Sequence, residues 1–104
     1  WEKAKAFDGS AVVSDTFVSL NDLGKGIQDL RFSLLINNKE VQQGHTADMT
    51  FSVDVLIAYV SRYMTLKTGD LIFTGTPAGV GSVAAGDKIT GFLEGVQMLN
   101  VNVK

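Results

Sequence analysis

Chemistry in this chain can come from few places. Lys5, in Lys5-Ala6-Phe7-Asp8, is a cation beside an aromatic. Held in a site, such a lysine stabilises an enolate or oxyanion. Outside one it is a solvated surface residue, which is the commoner fate of lysine. Asp8-Gly9-Ser10 reads as a turn rather than a metal site. Six of the eleven glycines lie from Gly69 to Gly91, centred on Gly75-Thr76-Pro77-Ala78-Gly79-Val80-Gly81. Glycine lets backbone approach a ligand closely and take positive φ. A loop of this kind at the end of a strand is a common place for a site. It is not a Walker loop, because Ser82 follows Gly81 with no lysine between. Gly79-x-Gly81-x-x-Ala84 loosely matches a dinucleotide fingerprint, but Gly86-Asp87 interrupts the helix which that fingerprint requires. On spacing alone, a glycine-rich turn joining two strands is the favoured reading of the segment. His45 is the only histidine. With no second histidine and no carboxylate cluster beside it, it is expected to be a surface loop residue, not a ligand. Asp48 and Asp54 stand across a helix start and need not converge.

Local pattern predicts the framework that carries these residues. Residues 1–29 sustain no helical period, and Phe17, Val18 and Leu20 suggest a short strand. Leu30, Phe32, Leu34 and Ile36 alternate at period two, which predicts a half-buried strand over 30–37. Asn37-Asn38-Lys39 predicts a tight turn, and Glu40 to Gln43 a return strand that Gly44 ends. Ser52 is a good N-cap and Asp54 a favourable first-turn anion. With Val53, Leu56, Ile57, Val60 and Met64 at helical spacing, they predict the one substantial helix over 52–65. Lys67-Thr68-Gly69-Asp70 turns the chain. The apolar run 71–75 predicts a buried strand. Residues 88–93 and 96–103 predict a second hairpin, turned by Glu94-Gly95. The expected fold class is α+β, mostly β, with one main helix; a doubly wound sheet is excluded by the helix count.

Composition narrows the function classes. The chain has 104 residues, one domain's worth, with 45% hydrophobic and 19% charged residues. Cysteine is absent, which removes disulfides and thiolate chemistry. A net charge of −2 argues against a nucleic-acid partner. No apolar run reaches the ~20 residues of a membrane helix. The expectation is a soluble, cytoplasmic protein without a nucleic-acid or membrane partner.

Taken together, three strings are more specific. These are Trp1-Glu2-Lys3-Ala4-Lys5-Ala6-Phe7-Asp8, Thr46-Ala47-Asp48-Met49-Thr50-Phe51, and the run from Leu66 to Gly81 with Thr74-Gly75-Thr76-Pro77-Ala78-Gly79-Val80-Gly81 at its end. In this order they resemble the C-terminal half of the fumarylacetoacetate hydrolase family, its short bacterial branch and the acylpyruvases in particular. The resemblance covers essentially residues 1–104. It implies a mixed or antiparallel sheet roll around a site. It further implies chemistry dependent on Mg²⁺ or Mn²⁺, in which a C–C bond of an acylpyruvate or other 2,4-diketo acid is cleaved through a metal-bound enolate. Decarboxylation or tautomerisation of oxaloacetate, or a catabolic isomerisation, is the alternative within the family. A non-catalytic folding or dimerisation module is the alternative outside it.

Residue by residue, the resemblance makes Lys5 the catalytic cation that stabilises enolate charge. It makes Gly75 and Thr76 the loop that holds the substrate carboxylate, and leaves Asp8 structural. Family metal ligands, a Glu-x-Glu pair and an Asp, are expected upstream of Trp1, so no metal ligand is assigned to this segment. The same holds for the His–Glu pair that activates water. Residues 1–104 are thus expected to be the C-terminal part of a single catalytic domain, inactive alone. The whole protein is expected to be a homodimer acting on a small 2-oxo acid.

Overall fold

Alternation and turn chemistry build a four-stranded antiparallel sheet in the computed structural model, which describes residues 12–104. Lys5 and Asp8 lie outside the described residues. Strand β1 (Arg31–Ile36) pairs antiparallel with β2 (Lys39–His45), and β3 (Lys88–Leu93) with β4 (Val96–Asn102). The two hairpins join through β1 and β3, giving the order β2-β1-β3-β4. Asn37 and Asn38 turn the first hairpin at φ 52° and 67°; Glu94 and Gly95 turn the second at 50° and 81°. Two successive positive φ values match the right-handed twist of the flanking strands, and Asn and Gly adopt them at least cost.

The predicted alternation of β1 holds. Phe32, Leu34 and Ile36 pair with Leu93, Gly91 and Ile89, and these pair onward towards Leu99 and Val101. One sheet face is therefore apolar. Among the described residues, Leu30, just before β1, is the buried apolar side chain at 5% exposure, and Thr90 on the opposite face is the buried polar one.

Four local expectations change. Strand β2 runs on through Gly44 to His45, because the Phe32 ring lies over Gly44, its cross-strand partner, where any Cβ would collide. An aromatic covering a strand glycine restores the packing that glycine lacks. Residues 17–19 form no strand. Ser19 instead caps a one-turn helix, α1 (Leu20–Leu23), its Oγ accepting from Asn21 N at 3.3 Å, and Gly24 ends it at φ 66°. The main helix, α2, spans Val53–Ser61 rather than 52–65. Its N-cap is Ser52 as expected, with Oγ accepting from Val55 N at 3.3 Å. Residues 71–75 are irregular, not a strand, and Leu71, Ile72 and Phe73 are exposed. A strand needs a hydrogen-bonded neighbour, and among the described residues this run pairs with none.

Side chains lock the connections. Asn37 Nδ2 donates to Asp87 Oδ1 at 2.9 Å, and Lys88 N donates to Asn37 Oδ1 at 2.9 Å. Ala84 N donates to Asp87 Oδ2 at 2.8 Å. Glu94 accepts from Arg31 N at 2.6 Å and pairs with Lys25 at 2.7 Å. These donors hold both carboxyls below their usual range: the Ala84 N–H and then Asn37 for Asp87, and the Lys25 ammonium and then Arg31 N–H for Glu94. A depressed carboxyl contributes stability that is full above the unfolded value, about pH 4, and lost as pH falls through the folded value. The urea midpoint is therefore expected to hold from pH 7 to near 5 and then fall. Asp87→Asn and Glu94→Gln should each shallow that fall; an acid limb of unchanged slope in both variants would remove this account.

Among the described residues, no helix is long and apolar enough to cross a membrane.

Candidate functional site

The site is organised at the edge strand β2. Its register against β1 shifts between Leu34, opposite Gln42, and Leu35, opposite Glu40, so Val41 is an extra residue. A bulge turns backbone polar groups out of the ladder and leaves them available to a loop. Gly79 passes directly over the Val41 carbonyl with φ 104°, and a Cβ there would overlap that oxygen. Glycine at 79 is thus required twice, by its φ and by the close approach. Beside it, Gln42 Nε2 donates to Thr76 Oγ1 at 2.9 Å and to Pro77 O at 3.0 Å, with Ala78 O at 3.4 Å. The glycine-rich loop is therefore clamped to the sheet edge.

Facing the loop is the segment that comes after β2, Thr46 to Phe51. It is pinned by paired bonds to the start of β1: Leu30 N donates to Thr46 Oγ1 at 2.9 Å, and Thr46 N to Leu30 O at 2.8 Å. Gln28 ties the same segment to α2. Its Nε2 donates to Thr46 O at 2.8 Å, and its Oε1 accepts from Val53 N at 2.6 Å, satisfying an orphan donor at the helix start.

Between these walls is a cavity of about 420 Å³. Thr74, Gly75, Thr76 and Pro77 line one side; Thr46, Asp48, Met49 and Phe51 line the other, with Leu56 of α2. Both expected substrate-binding residues, Gly75 and Thr76, are on this cavity. Two strings separated by more than twenty residues of sequence meet here. Asp48 lines the cavity, whereas Asp54 does not.

His45 also lines it and corrects the expectation of a loop residue: it is the last residue of β2. Its Nε2 donates to Asp29 Oδ1 at 2.8 Å. That bond, with a smaller contribution from Lys25, holds the Asp29 carboxyl below its usual range. Neither the His45–Asp29 pair nor the role of Gln42 was legible in the sequence, because each joins residues with no local pattern between them. The polar lining residues include Thr46, Asp48, Thr74 and Thr76. Among the described residues, no three His, Asp or Glu side chains gather as a metal site.

Known proteins share much of this sequence and fold. Residues 1–104 match the family described as Fumarylacetoacetate (FAA) hydrolase C-terminal. An oxaloacetate tautomerase of Escherichia coli K12, YcgM, is 45% identical over 95 residues, covering 91% of this chain and 43% of the relative. A crystal structure from Yersinia pestis CO92, described within the same family, superposes with a TM-score of 0.90 at 43% identity, over 100% of this chain and 48% of the other. The maleylpyruvate hydrolase of Sphingobium sp. SYK-6, solved with manganese(II) and pyruvate, superposes with a TM-score of 0.74 at 36% identity, over 83% of this chain and 33% of the other. The chain spans about half the length of the curated relatives it matches.

Proposed function

Because the chain belongs to the fumarylacetoacetate hydrolase family, matching its C-terminal domain throughout, we propose that the whole protein is an enzyme that uses water to cleave a C–C bond of acylpyruvate-type substrates, releasing a carboxylic acid and a 2-oxo acid enolate that is then protonated. The observation that carries this reading is the cavity where the Gly75–Thr76 loop faces the Thr46–Phe51 segment. On it, the Thr76 hydroxyl and the loop N–H groups bind and orient the substrate carboxylate. Lys5, outside the described residues, opposes the negative charge that grows as the enolate forms. The pyruvate held with manganese in the Sphingobium hydrolase supports a 2-oxo acid as the ligand class.

The same relative supports a divalent metal, Mg²⁺ or Mn²⁺, in the whole protein. The described residues do not fit a metal centre, and the chemistry assigned to this chain is that of its own side chains. Assembly as a homodimer belongs to the same proposal. Large apolar side chains left exposed, Tyr63, Phe73 and Val80 among them, support the packing of further protein against this chain.

A second reading, tautomerisation of oxaloacetate, is favoured by the 45% identity to the E. coli tautomerase. Both reactions pass through a 2-oxo acid enolate that is protonated on carbon, and they differ in its origin. In hydrolysis water adds to the distal carbonyl and C–C cleavage releases a carboxylic acid and the pyruvate enolate, whereas in tautomerisation the enolate forms by loss of the enol proton alone. The test is to assay the full-length protein with Mg²⁺ or Mn²⁺ on acetylpyruvate and on enol-oxaloacetate. Pyruvate release from the first supports hydrolysis. Accelerated decay of the enol without loss of CO₂ supports tautomerisation. Failure to turn over either compound rejects the enolate chemistry.

A further inference from the structure

We propose that Gln42 is a positioning residue, setting the Thr76 hydroxyl to donate its proton to the substrate carboxylate; this rests on the reading of the cavity as a 2-oxo acid site.

The orientation of the Gln42 amide is set by its partners. Pro77 O and Ala78 O are carbonyls and can only accept, so the end of the amide that faces them is nitrogen. That nitrogen has two protons. One is committed to Pro77 O, and the other is directed to Thr76 Oγ1 at 2.9 Å. Thr76 is therefore the acceptor in this bond, and its own proton stays uncommitted. A hydroxyl that accepts on one side is polarised to donate on the other.

The placement agrees. Thr76 lines the carboxylate-binding cavity, whereas Gln42 is not part of that lining. Gln42 opens instead onto a second groove with Thr76, Phe17, Leu34 and Met98. It supports the loop from behind and leaves the substrate space clear. The Val41 bulge, one residue away, keeps the loop within reach, since Gly79 rests on the Val41 carbonyl. A binding group held by a second residue on a paired strand is more precisely placed than one on an unsupported loop.

Two substitutions separate this role from simple space-filling. Gln42→Met keeps length and volume but removes both donors. Gln42→Glu keeps shape, and its carboxylate can only accept, so it would take the Thr76 proton and repel both loop carbonyls. In the full-length protein loaded with Mn²⁺, the constants to measure are KM for the substrate, kcat, and the inhibition constant of pyruvate. Gln42→Met should raise KM and the pyruvate constant about tenfold, the scale of a hydrogen bond to a charged group, with kcat much less changed. Gln42→Glu should raise both further. Adding Gln42→Met to Thr76→Ala should raise the pyruvate constant far less than Gln42→Met does alone, because the hydroxyl it acts through is gone and only its bonds to the Pro77 and Ala78 carbonyls remain to be lost.

A space-filling role predicts the reverse order, with Glu milder than Met, and effects that add to Thr76→Ala; either result overturns the proposal. If Thr76→Ala is impaired while both Gln42 variants bind pyruvate like the wild type, only the role of Gln42 falls. If Thr76→Ala itself binds pyruvate like the wild type, the site reading falls too.

Discussion

Thr76→Ala in the full-length protein is expected to lower kcat/KM by about 10²-fold or more, and Lys5→Ala by at least as much, as loss of one preorganised charge-stabilising contact does. The two act on different charges. On the proposed reading Thr76 meets the carboxylate present throughout the reaction, so its loss should fall mainly on KM. Lys5, by resemblance, meets charge that exists only as the enolate forms, so its loss falls mainly on kcat. Thr76→Ala also deprives the Gln42 amide of one acceptor, which loosens the loop that carries Gly75. Thr76→Ser keeps a hydroxyl in the same reach and should recover most of the activity. Steady-state kinetics on the substrate that the wild type turns over decides the matter: near wild-type constants in both alanine variants would remove these residues from the site.

Gly79→Ala is expected to be the most damaging single-methyl change in the described chain. Its φ of 104° is hostile to any L side chain, and the added Cβ meets the Val41 carbonyl with Gln42 Cγ at 3.0 Å. Val41 is backbone within a paired strand, so it cannot give way as a flexible side chain would. The loop must lift instead, breaking the Gln42 clamp and moving Thr76. Gly86 is the control. Its φ is 92°, and a Cβ there meets nothing within 4 Å. Gly86→Ala should then show the conformational strain alone, about 1–3 kcal/mol. Gly79→Ala should lose that and more in urea unfolding, together with about 10²-fold or more in kcat/KM once the carboxylate contact is displaced. Equal stability losses and unaltered kinetics in the two variants would show that the loop does not rest on the bulge.

Local rules explain which parts of the fold are legible in advance. The β1 strand comes from Leu30, Phe32, Leu34 and Ile36, the first hairpin turn from Asn37-Asn38, the second from Glu94-Gly95, and the start of α2 from Ser52. Each signal spans only a few residues, the range over which side-chain alternation, positive φ and capping operate. The run 71–75 satisfies the same apolar pattern and still forms no strand, since pairing depends on a neighbour that pattern does not supply. His45 shows the converse. Gly44 reads locally as a strand end, yet the Phe32 ring across the ladder carries β2 one residue further and brings His45 to Asp29.

Three ordered strings of residues suffice for the family, because a short motif carries its residue types wherever it folds. The hairpins and the helix cap are equally written in the linear chain. Folding in three dimensions was needed to place the Thr46–Phe51 segment and the Gly75–Thr76 loop on one cavity, and to bring Gln42, 34 residues from Thr76, behind the hydroxyl it holds. Those facts turn on one extra residue at Val41. A bulge redirects a carbonyl and a side chain by changing register against a partner strand, and register is a property of two segments at once.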